Sequence, residues 1–327
     1  MPKVLITTVP FGDKNRYPLD LLEENNIDYV INPLGKKLTE DELAGMVDDF
    51  DVIVAGTEPI TDKVMERASN LKMISRVGIG LDSVDLLAAE KRNIAVSYTP
   101  DAPSPAVAEL TMGLMYSLLR HVHVSNIQLH RGEWHRYFGK RLVNCKIGLV
   151  GIGRIGSKVL RHLSGLGCTD ILYNDINVQL EGDFAEMARF AEKEEIYREA
   201  DIISLHVPLT AQTKNMITTT EIETMNKDAI LINTSRGGII NEKDLYEALK
   251  KNRLASASID VFEHEPYSGD LANLDNCLMT AHMGSMSIDC RTQMEIEATE
   301  EAVRFLMENR QESAVPDEEY EVQRQGL

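Results

Sequence analysis

Basic residues are scarce in this chain relative to acidic ones. Its 327 residues include 34 lysines and arginines against 52 aspartates and glutamates, which gives a formal net charge of -18. Proteins that bind nucleic acids need a basic surface, so this balance argues against that class of function. The acidity indicates a contribution to solubility and says little about the substrate.

Long apolar runs are also missing. No stretch approaches the roughly 20 apolar residues that a membrane-spanning helix needs. Residues 1–6 form a short strand-like run without the apolar core and small-residue cleavage site of a signal peptide. We therefore expect a cytoplasmic protein that does not act at a membrane.

Paired cysteines are absent as well. Cys145, Cys168, Cys277 and Cys290 are scattered, with no Cys-x-x-Cys pair, and they predict reduced, mostly buried thiols. The eight histidines show no ligand spacing with these cysteines, so no metal site is expected.

The chain is too long for most single domains, and its pattern alternates between strands and helices. The first series has predicted strands at 4–7, 29–31, 52–55, 73–74 and 94–97 and helices at 19–24, 41–47, 62–68 and 84–90. The second has predicted strands at 146–150, 170–173, 201–207, 229–233, 254–260 and 277–280. Such alternation predicts parallel sheets covered on both faces, and hence two α/β domains in tandem.

Several segments carry separate expectations. The helix predicted over 106–119 is apolar on almost every side, which indicates burial in a core or against another subunit. The histidine- and arginine-rich stretch over 120–141 favours a solvated basic arm, with a contact to a partner subunit as the alternative.

A helix over 292–308 could close the second domain or return to the first, and a return would place the substrate cleft between domains. Residues after 307 are predicted to form a tail of low order.

A glycine loop opens the second series. Gly151-Ile152-Gly153-Arg154-Ile155-Gly156 lies between a predicted strand and a predicted helix, and Asp175 ends the next strand, 19 positions after Gly156. The glycines permit a tight turn, close approach of a pyrophosphate and close helix packing. An acid at this distance can accept the ribose hydroxyls of NAD and would repel the extra phosphate of NADP. The pattern therefore predicts a dinucleotide site that favours NAD.

Three residues downstream of this loop suggest chemistry. Arg236 follows Asn233-Thr234-Ser235, Glu265 precedes Pro266, and His282 lies in Thr280-Ala281-His282-Met283-Gly284. An arginine can hold a carboxylate and polarise a carbonyl, and a histidine backed by a glutamate can move a proton. Beside a nicotinamide, these groups could reduce a 2-oxo acid or oxidise a 2-hydroxy acid.

At these positions the chain strongly resembles the D-isomer-specific 2-hydroxyacid dehydrogenases, including enzymes that act on phosphoglycerate. The likeness runs over roughly residues 4–307. The matching stretches are RVGIGLDSVD at 76–85, AVAE at 106–109, RGEW at 131–134, the loop at 151–156, HVPLT at 206–210, NTSRGG at 233–238, DVFEHEP at 260–266 and TAHMG at 280–284.

The resemblance implies a fold and an assembly. We expect an α/β protein of two doubly wound parallel-sheet domains. A flavodoxin-like substrate domain would comprise residues 1–100 and 290–327, and a Rossmann NAD-binding domain residues 101–289. The C-terminal helix would return to the first domain. The 106–141 region would form a homodimer, with Trp134 near the subunit boundary.

The resemblance also implies roles for single residues in an NAD-dependent D-2-hydroxyacid dehydrogenase, or 2-oxo acid reductase. Arg236 would bind the substrate carboxylate and carbonyl. His282 would exchange the proton, and Glu265 would orient its ring and raise its proton affinity. Val77 and Gly78 would offer backbone N–H groups to the substrate carboxylate.

The cofactor contacts implied by the resemblance cluster in the second domain. Asp260 would hold the nicotinamide carboxamide and Pro208 would line the nicotinamide pocket. The full expected set is Gly151, Gly153, Arg154, Ile155, Gly156, Asp175, Val207, Pro208, Thr234, Ser235, Asp260, His282 and Gly284. His206 is predicted to be structural rather than catalytic.

The chain departs from its relatives in one loop. Family members that act on phosphoglycerate carry an Arg-Ser pair after the third strand, whereas this chain has residues 55–61, AGTEPIT, with no arginine. Glu58 would disfavour a second anionic group if it faced the cleft, although it could instead face solvent. Phosphoglycerate is therefore a doubtful substrate. Glu265 argues against formate dehydrogenase, which pairs its histidine with a glutamine.

Two alternatives stay open. Relatives of this fold serve as corepressors and retain the catalytic residues, so a non-catalytic NAD(H)-responsive interaction protein is one alternative. An NADPH-dependent glyoxylate or hydroxypyruvate reductase is the other, although Asp175 opposes NADPH.

Overall fold

The computed structural model describes residues 1–176, 180 and 182–325, and the chain divides into two compact units. Unit 1 comprises Met1–Pro103 and Met286–Leu327, and unit 2 comprises Ser104–Ser285. Strands and helices are numbered below along the whole chain. Each unit contains one parallel β-sheet, of five strands in unit 1 and seven in unit 2, which confirms the predicted α/β class.

Unit 1 is built on strands with the order β2-β1-β3-β4-β5. The strands are β1 (Lys3–Ile6), β2 (Asp28–Ile31), β3 (Val52–Ala55), β4 (Met73–Arg76) and β5 (Ala95–Tyr98). The helices are α1 (Tyr17–Glu24), α2 (Glu40–Ala44), α3 (Asp62–Arg67), α4 (Leu86–Lys91), α11 (Ile288–Glu308) and α12 (Asp317–Arg324). Successive residues of β3 face two different cores, with Val52 and Val54 in one and Ile53 and Ala55 in the other. The sheet is therefore covered on both faces, which explains why its strands read as continuous apolar runs.

Helix α11 packs in unit 1. Its residues Met294, Ala298 and Ala302 are buried in one of the two cores of that unit. The Ser75 hydroxyl at β4 donates to the Ala298 carbonyl oxygen over 2.7 Å. The three small or flexible side chains recur at helical spacing, which lets the helix lie close to the sheet.

The prediction of a poorly ordered tail after residue 307 is wrong for the residues described. Val315 is buried in the second core of unit 1, and Tyr98 N donates to Ser313 O over 3.2 Å. Helix α12 then docks on α4, where the Gln323 amide accepts from Leu86 N at 2.8 Å and donates to Val84 O at 2.7 Å. The sequence of this segment is polar and acidic. Because only a few of its residues make long-range contacts, it has no apolar periodicity from which its packing could be predicted.

Unit 2 has the strand order β12-β11-β10-β9-β6-β7-β8. The strands are β6 (Ile147–Val150), β7 (Ile171–Asn174), β8 (Arg189–Phe190), β9 (Ile202–Leu205), β10 (Ile230–Asn233), β11 (Ser256–Ile259) and β12 (Cys277–Met279). The helices are α5 (Ser104–Leu119), α6 (Val122–His130), α7 (Gly156–Gly165), α8 (Lys193–Glu199), α9 (Thr219–Thr224) and α10 (Glu242–Lys250). Strand β8 has two residues, too few for a sequence pattern to predict.

Helix α5 is buried mainly within its own unit. Ala108 and Met115 are fully buried in the core formed with α7 and β6. Glu109, Gly113 and Tyr116 form an exposed stripe on one side. The all-round apolar pattern therefore reflects burial in the core over most of the helix, and it leaves one face open.

The arm over 120–141 is less simply basic than its composition indicates. Residues 122–130 form helix α6, which exposes Val122 and Leu129. Beyond it, Trp134 is 82% exposed and Phe138 is 100% exposed. Solvation of the arm explains why its charged residues are exposed, but it does not explain the exposure of two large aromatic side chains.

The four cysteines are buried and carry no disulfide bonds. Among the residues that the structure describes, no helix is both long and apolar enough to cross a membrane.

Candidate active site

The glycine loop joins β6 to α7, and steric contacts require two of its glycines. A Cβ atom on Gly151 would lie 2.4 Å from the carbonyl oxygen of His206, and one on Gly156 would lie 2.0 Å from the Gly151 oxygen. Gly151 also has a φ of +95°. The Cβ position of Gly153 meets only open space. The loop is thus tight on its inner side and open on the side where a pyrophosphate would approach the first N–H groups of α7.

Asp175 lies beside this loop, at the end of the adjacent strand β7. Its carboxylate accepts a hydrogen bond from Ile152 N at 2.6 Å. Parallel pairing of β6 with β7 brings the two strand ends together. The loop and the acid therefore have the arrangement that a dinucleotide requires.

The remaining expected cofactor residues follow neighbouring strands. Val207 comes after β9, with its Cγ1 atom 3.0 Å from the Cβ position of Gly151, and Pro208 next to it is exposed. Thr234 follows β10 and shares a 2.9 Å hydrogen bond with the Thr111 hydroxyl of α5. Because β10, β9 and β6 are adjacent and parallel, these residues collect at the same edge as the glycine loop.

The proposed catalytic residues follow three neighbouring strands of the same sheet. Arg236 comes after β10, Glu265 after β11 and His282 after β12. The His282 Nδ1 atom lies 3.0 Å from Glu265 Oε1 and 2.9 Å from Oε2. Both side chains are partly exposed, so the pair is open to a ligand. The structure therefore brings the predicted histidine and glutamate into direct contact.

Asp260 fixes the turn that carries His282. Its carboxylate, in a residue only 1% exposed, accepts from the Thr280 hydroxyl at 2.5 Å, Met283 N at 2.9 Å and Gly284 N at 2.9 Å. His282 itself has a φ of +47° and donates its N–H to Asp260 O. Three of the four acceptor positions of the carboxylate are thus used inside the protein, which leaves one for a ligand amide. The resemblance implied a cofactor role for Asp260, but no feature of the sequence indicated this positioning role.

The loop of Arg236 is held by Asn233, a buried residue that sequence analysis also missed. The Asn233 side-chain oxygen accepts from Ser235 N at 3.0 Å and from the Ser235 hydroxyl at 2.8 Å. Its amide nitrogen donates to Arg236 O at 2.8 Å. A Cβ on Gly237 would lie 2.1 Å from the backbone of Phe262, so this loop packs directly against the one after β11. The NTSRG pattern is the signal that could have identified Asn233.

Val77 and Gly78 require a correction. In unit 1, Val77 N donates to Ala55 O at 2.9 Å, and Gly78 N donates to the Thr99 hydroxyl at 2.7 Å. Neither N–H is available for a substrate carboxylate, contrary to the expectation. Among the described residues, the backbone N–H groups of Ile79 and Gly80 in the same turn have no protein acceptor. Gly80 is buried, and a buried N–H without an acceptor is rare unless a ligand or water bonds to it.

Glu58 is buried rather than exposed to solvent. It follows β3 in unit 1 and is 2% exposed. Its Oε1 atom accepts from Gly56 N at 2.8 Å and from the Thr7 hydroxyl. The expectation that this acid could face solvent is therefore wrong.

His206 ends β9 beside the glycine loop. Its Nε2 atom lies 2.9 Å from the Ser204 hydroxyl, and among the described residues Nδ1 has no hydrogen-bond partner. Burial lowers the pKa of the imidazole from its ordinary 6.5 to about 4. The ring is therefore neutral at neutral pH, as a structural residue would be.

Comparison with known proteins gives consistent matches. A model described as D-isomer specific 2-hydroxyacid dehydrogenase, NAD binding domain, matches residues 112–284. The chain is 36% identical over 276 residues to hydroxypyruvate reductase of Thermotoga maritima, which covers 82% of this chain and 89% of that protein. It is 40% identical over 253 residues to D-3-phosphoglycerate dehydrogenase of Methanocaldococcus jannaschii. This second match covers 76% of this chain but only 48% of that protein, so the chain spans about half of its length.

Solved structures agree with the fold. The structure of TT0316 protein from Thermus thermophilus superimposes with a TM-score of 0.88 at 31% identity, covering 96% of this chain and 100% of that one.

The depressed pKa of His206 predicts a pH-dependent stability. In the unfolded chain this histidine takes up a proton as pH falls through 6.5, whereas in the folded chain it does so only near pH 4. Its contribution is therefore complete above pH 6.5 and declines between 6.5 and 4, by about 2 kcal/mol at pH 5. Between pH 7 and pH 5, the free energy of unfolding of wild type should fall, and that of His206→Asn should fall by about 2 kcal/mol less. The measurement is urea unfolding followed by circular dichroism at both pH values. His162→Asn, which alters an exposed histidine of α7, should behave as wild type; equal losses in all three proteins would contradict the prediction.

Proposed function

The chain belongs to the D-isomer specific 2-hydroxyacid dehydrogenase family, and from that membership we propose that it is an NAD-dependent D-2-hydroxyacid dehydrogenase acting as a 2-oxo acid reductase. Members of this family are oxidoreductases that act on the CH–OH group of small 2-hydroxy acids with NAD(P). The observation that carries the proposal is the His282–Glu265 contact at 2.9 Å, one strand end away from Arg236. These residues provide proton transfer and carboxylate binding on one edge of a sheet.

The cofactor would be held along that same edge. The glycine loop and the first turn of α7 would bind the pyrophosphate, and Asp175 would accept the ribose hydroxyls. The last acceptor position of Asp260 would receive the carboxamide. The nicotinamide held by these residues would supply the hydride for reduction of the 2-oxo carbon, or accept it in the opposite direction.

Each catalytic side chain would perform one task. With Nδ1 of His282 engaged by Glu265, Nε2 is the ring atom left to give a proton to the substrate oxygen or to remove it. The Glu265 carboxylate would hold the ring in that orientation and stabilise it while it carries a positive charge. The Arg236 guanidinium would bind the substrate carboxylate and stabilise the negative charge that develops on the oxygen.

We also assign the substrate-carboxylate amides to Ile79 and Gly80 in place of Val77 and Gly78. The support is that these two N–H groups have no protein acceptor among the described residues, whereas the other two are bonded. An anionic carboxylate is the acceptor that would satisfy both donors at once.

A homodimer through the 106–141 region completes the proposal. The support is the exposure of Leu129, Trp134 and Phe138 near the open stripe of α5 in sequence. Large apolar side chains that are exposed within one short segment are a feature of protein interaction sites.

The proton-transfer role predicts that His282→Ala loses activity without losing cofactor binding. We expect kcat for 2-oxo acid reduction to fall about 10²–10⁴-fold, because general acid catalysis is removed. Loss of NADH absorbance with a panel of 2-oxo acids measures the rate, and NADH fluorescence titration measures binding. His264→Ala removes a neighbouring exposed histidine and should retain wild-type turnover. A wild-type protein that binds NADH but reduces none of the acids would instead support a non-catalytic, NAD(H)-responsive role.

The position of Asp175 predicts a preference for NADH over NADPH. We expect wild type to show at least tenfold higher kcat/KM with NADH, because the carboxylate repels the 2′-phosphate. Asp175→Asn should reduce that ratio by improving the NADPH reaction. Initial rates with both cofactors measure the ratio, and Asp170→Asn, at the exposed start of the same strand, is the matched control. Equal rates of wild type with the two cofactors would refute the assignment of NAD.

The exposed aromatic arm predicts a dimer that depends on apolar contacts. We expect sedimentation equilibrium to give a dimer for wild type and a tendency to monomer for the double variant Leu129→Gln, Phe138→Gln, because buried apolar area would be lost. Met307→Gln alters an exposed methionine at the end of α11 and should leave the mass unchanged. A monomeric wild type at micromolar concentration would contradict the proposal.

A further inference from the structure

Helix α5 packs against the strands whose following loops carry the catalytic side chains. It contacts β10, which precedes the loop of Arg236, and β11, which precedes the loop of Glu265. On its buried side, Ala108 and Met112 share a core with Ile232 of β10. The helix itself contributes none of the side chains expected to touch substrate or cofactor. Two of its buried residues nevertheless reach the loops that do.

The first of these residues is Val107, which contacts the turn after β12. A Cβ atom on Gly284 would lie 3.3 Å from the Val107 Cγ2 atom and 3.2 Å from the Oδ2 atom of Asp260. Gly284 is therefore enclosed between α5 and the carboxylate that fixes the turn of His282. Val107 is 6% exposed, so this contact is shielded from water. The helix thus supports the His282 turn by close packing.

The second residue, Thr111, lies one helical turn further along and reaches the loop of Arg236. Its hydroxyl oxygen is 2.8 Å from Val107 O and 2.9 Å from the Thr234 hydroxyl oxygen. Thr111 is 0% exposed and Thr234 is 5% exposed, so water does not compete for these bonds. Thr234 comes two residues before Arg236. The hydrogen bond therefore joins the helix to the short segment that carries the guanidinium.

The direction of these two hydrogen bonds follows from the atoms involved. A carbonyl oxygen can only accept, so the single hydrogen of the Thr111 hydroxyl points to Val107 O. The Thr111 oxygen must then accept from Thr234, which directs the Thr234 hydrogen at the helix. Bonds in such a chain polarise and strengthen one another. The side chain of Thr234 is thus held in one orientation by a donor–acceptor chain that ends on the helix backbone.

The same segment is held from its other side by Asn233. The Asn233 amide donates to Arg236 O at 2.8 Å, and its side-chain oxygen accepts from Ser235 N at 3.0 Å. Asn233 ends β10, so it fixes the segment to the sheet, whereas Thr234 fixes it to α5. The backbone before Arg236 is therefore held from two directions. Loss of the bond to α5 would leave only the one from the sheet.

We propose that Thr111 is a positioning residue for the reaction, which acts through Thr234 on the Arg236 guanidinium. This inference rests on the proposed function. Arg236 must meet the substrate carboxylate and oxygen together, and a displacement of about 1 Å in such an arrangement can cost as much as 100-fold in rate. The His282–Glu265 pair has its own supports. Removal of the Thr111 hydroxyl therefore weakens binding of the 2-oxo acid and leaves proton transfer intact.

Thr111→Val keeps the shape of the side chain and removes the hydroxyl. We expect kcat/KM for the 2-oxo acid that wild type reduces fastest to fall about tenfold or more, chiefly through a higher KM. The dissociation constant of oxamate, an unreactive 2-oxo acid analogue, from the enzyme with bound NADH should rise by a similar factor. The pH dependence of kcat should not move, because it reports on His282. Thr111→Ser restores the hydroxyl and should stay within about threefold of wild type.

Thr299→Val is the matched control. Thr299 of α11 is also 0% exposed, and its hydroxyl donates to Glu295 O at 2.8 Å, one turn back in its own helix, as that of Thr111 does to Val107 O. Its loss should lower thermal stability but leave KM and oxamate binding as in wild type. Equal kinetic losses in the two valine variants would show a general effect of destabilisation and overturn the inference. Unchanged kinetics in Thr111→Val would overturn it too.

A double-variant cycle tests the path through Thr234, and one arm does not alter the helix. Thr234→Val breaks the same bond from the loop side and should raise KM and the oxamate dissociation constant. Adding Thr111→Val to it should change kcat/KM by less than about twofold, because the bond is already lost. Losses that multiply, or a Thr234→Val variant with wild-type kinetics, would overturn the inference and leave the dehydrogenase standing. Wild type inactive on every 2-oxo acid with NADH and NADPH would overturn the proposed function and this inference together.

Discussion

The buried carboxylate of Asp260 is the contact on which the candidate active site depends most directly. It accepts hydrogen bonds from three groups of the turn after β12 and so fixes the backbone of His282 in a left-handed conformation. That conformation is unfavourable for a residue with a side chain and persists only where surrounding contacts hold it. Because the turn is fixed, the imidazole can meet Glu265 from the adjacent strand end. The histidine is thus positioned by its backbone and oriented by its side-chain partner.

Carboxylates that bind backbone N–H groups recur through the molecule. Asp175 binds the glycine loop at Ile152, Glu58 binds Gly56, and Glu301 binds Glu312 N and Ser313 N. Each of these acids fastens a loop or a chain end that has no regular secondary structure to satisfy its amides. Part of the strong acidity of the chain is therefore structural, because an ionised carboxylate accepts such bonds more strongly than a neutral group does. Net charge alone could not distinguish these acids from those that only face solvent.

The sequence predicted most strands and helices closely. Val52–Ala55 was predicted to the residue, and most of the other strands differ by one or two residues at an end. Continuous apolar runs separated by helical periodicity produce this agreement, because parallel strands are buried on both faces. The misses share a different cause. Helix α12 and the burial of Glu58 depend on contacts with residues distant along the chain, and the two-residue strand β8 is too short to have a period.

The same distinction between local patterns and long-range contacts holds for the candidate site. Motif spacing placed Arg236, Glu265 and His282 at the ends of successive strands, and parallel topology then brings those ends to one edge. The backbone donors expected for the substrate carboxylate, Val77 and Gly78, are already bonded within unit 1, and the donors proposed in their place lie two residues later. Which N–H group in a turn is free depends on where the neighbouring strand end and the Thr99 side chain lie. The local sequence therefore cannot predict which N–H groups of the turn are left without an acceptor.

By itself, the sequence determined the α/β class, the glycine loop with its acid, and the three residues suited to proton transfer and carboxylate binding. These follow from local periodicity and from the chemistry of single residue types at fixed spacing. Only the tertiary structure decided which groups are already satisfied: the three hydrogen bonds that leave Asp260 one acceptor position, the bonded amides of Val77 and Gly78, and the amides of Ile79 and Gly80, which have no protein acceptor among the described residues. The physical reason is that a hydrogen bond is used or left open by the atom that lies opposite it. In these places that atom belongs to another strand or another turn.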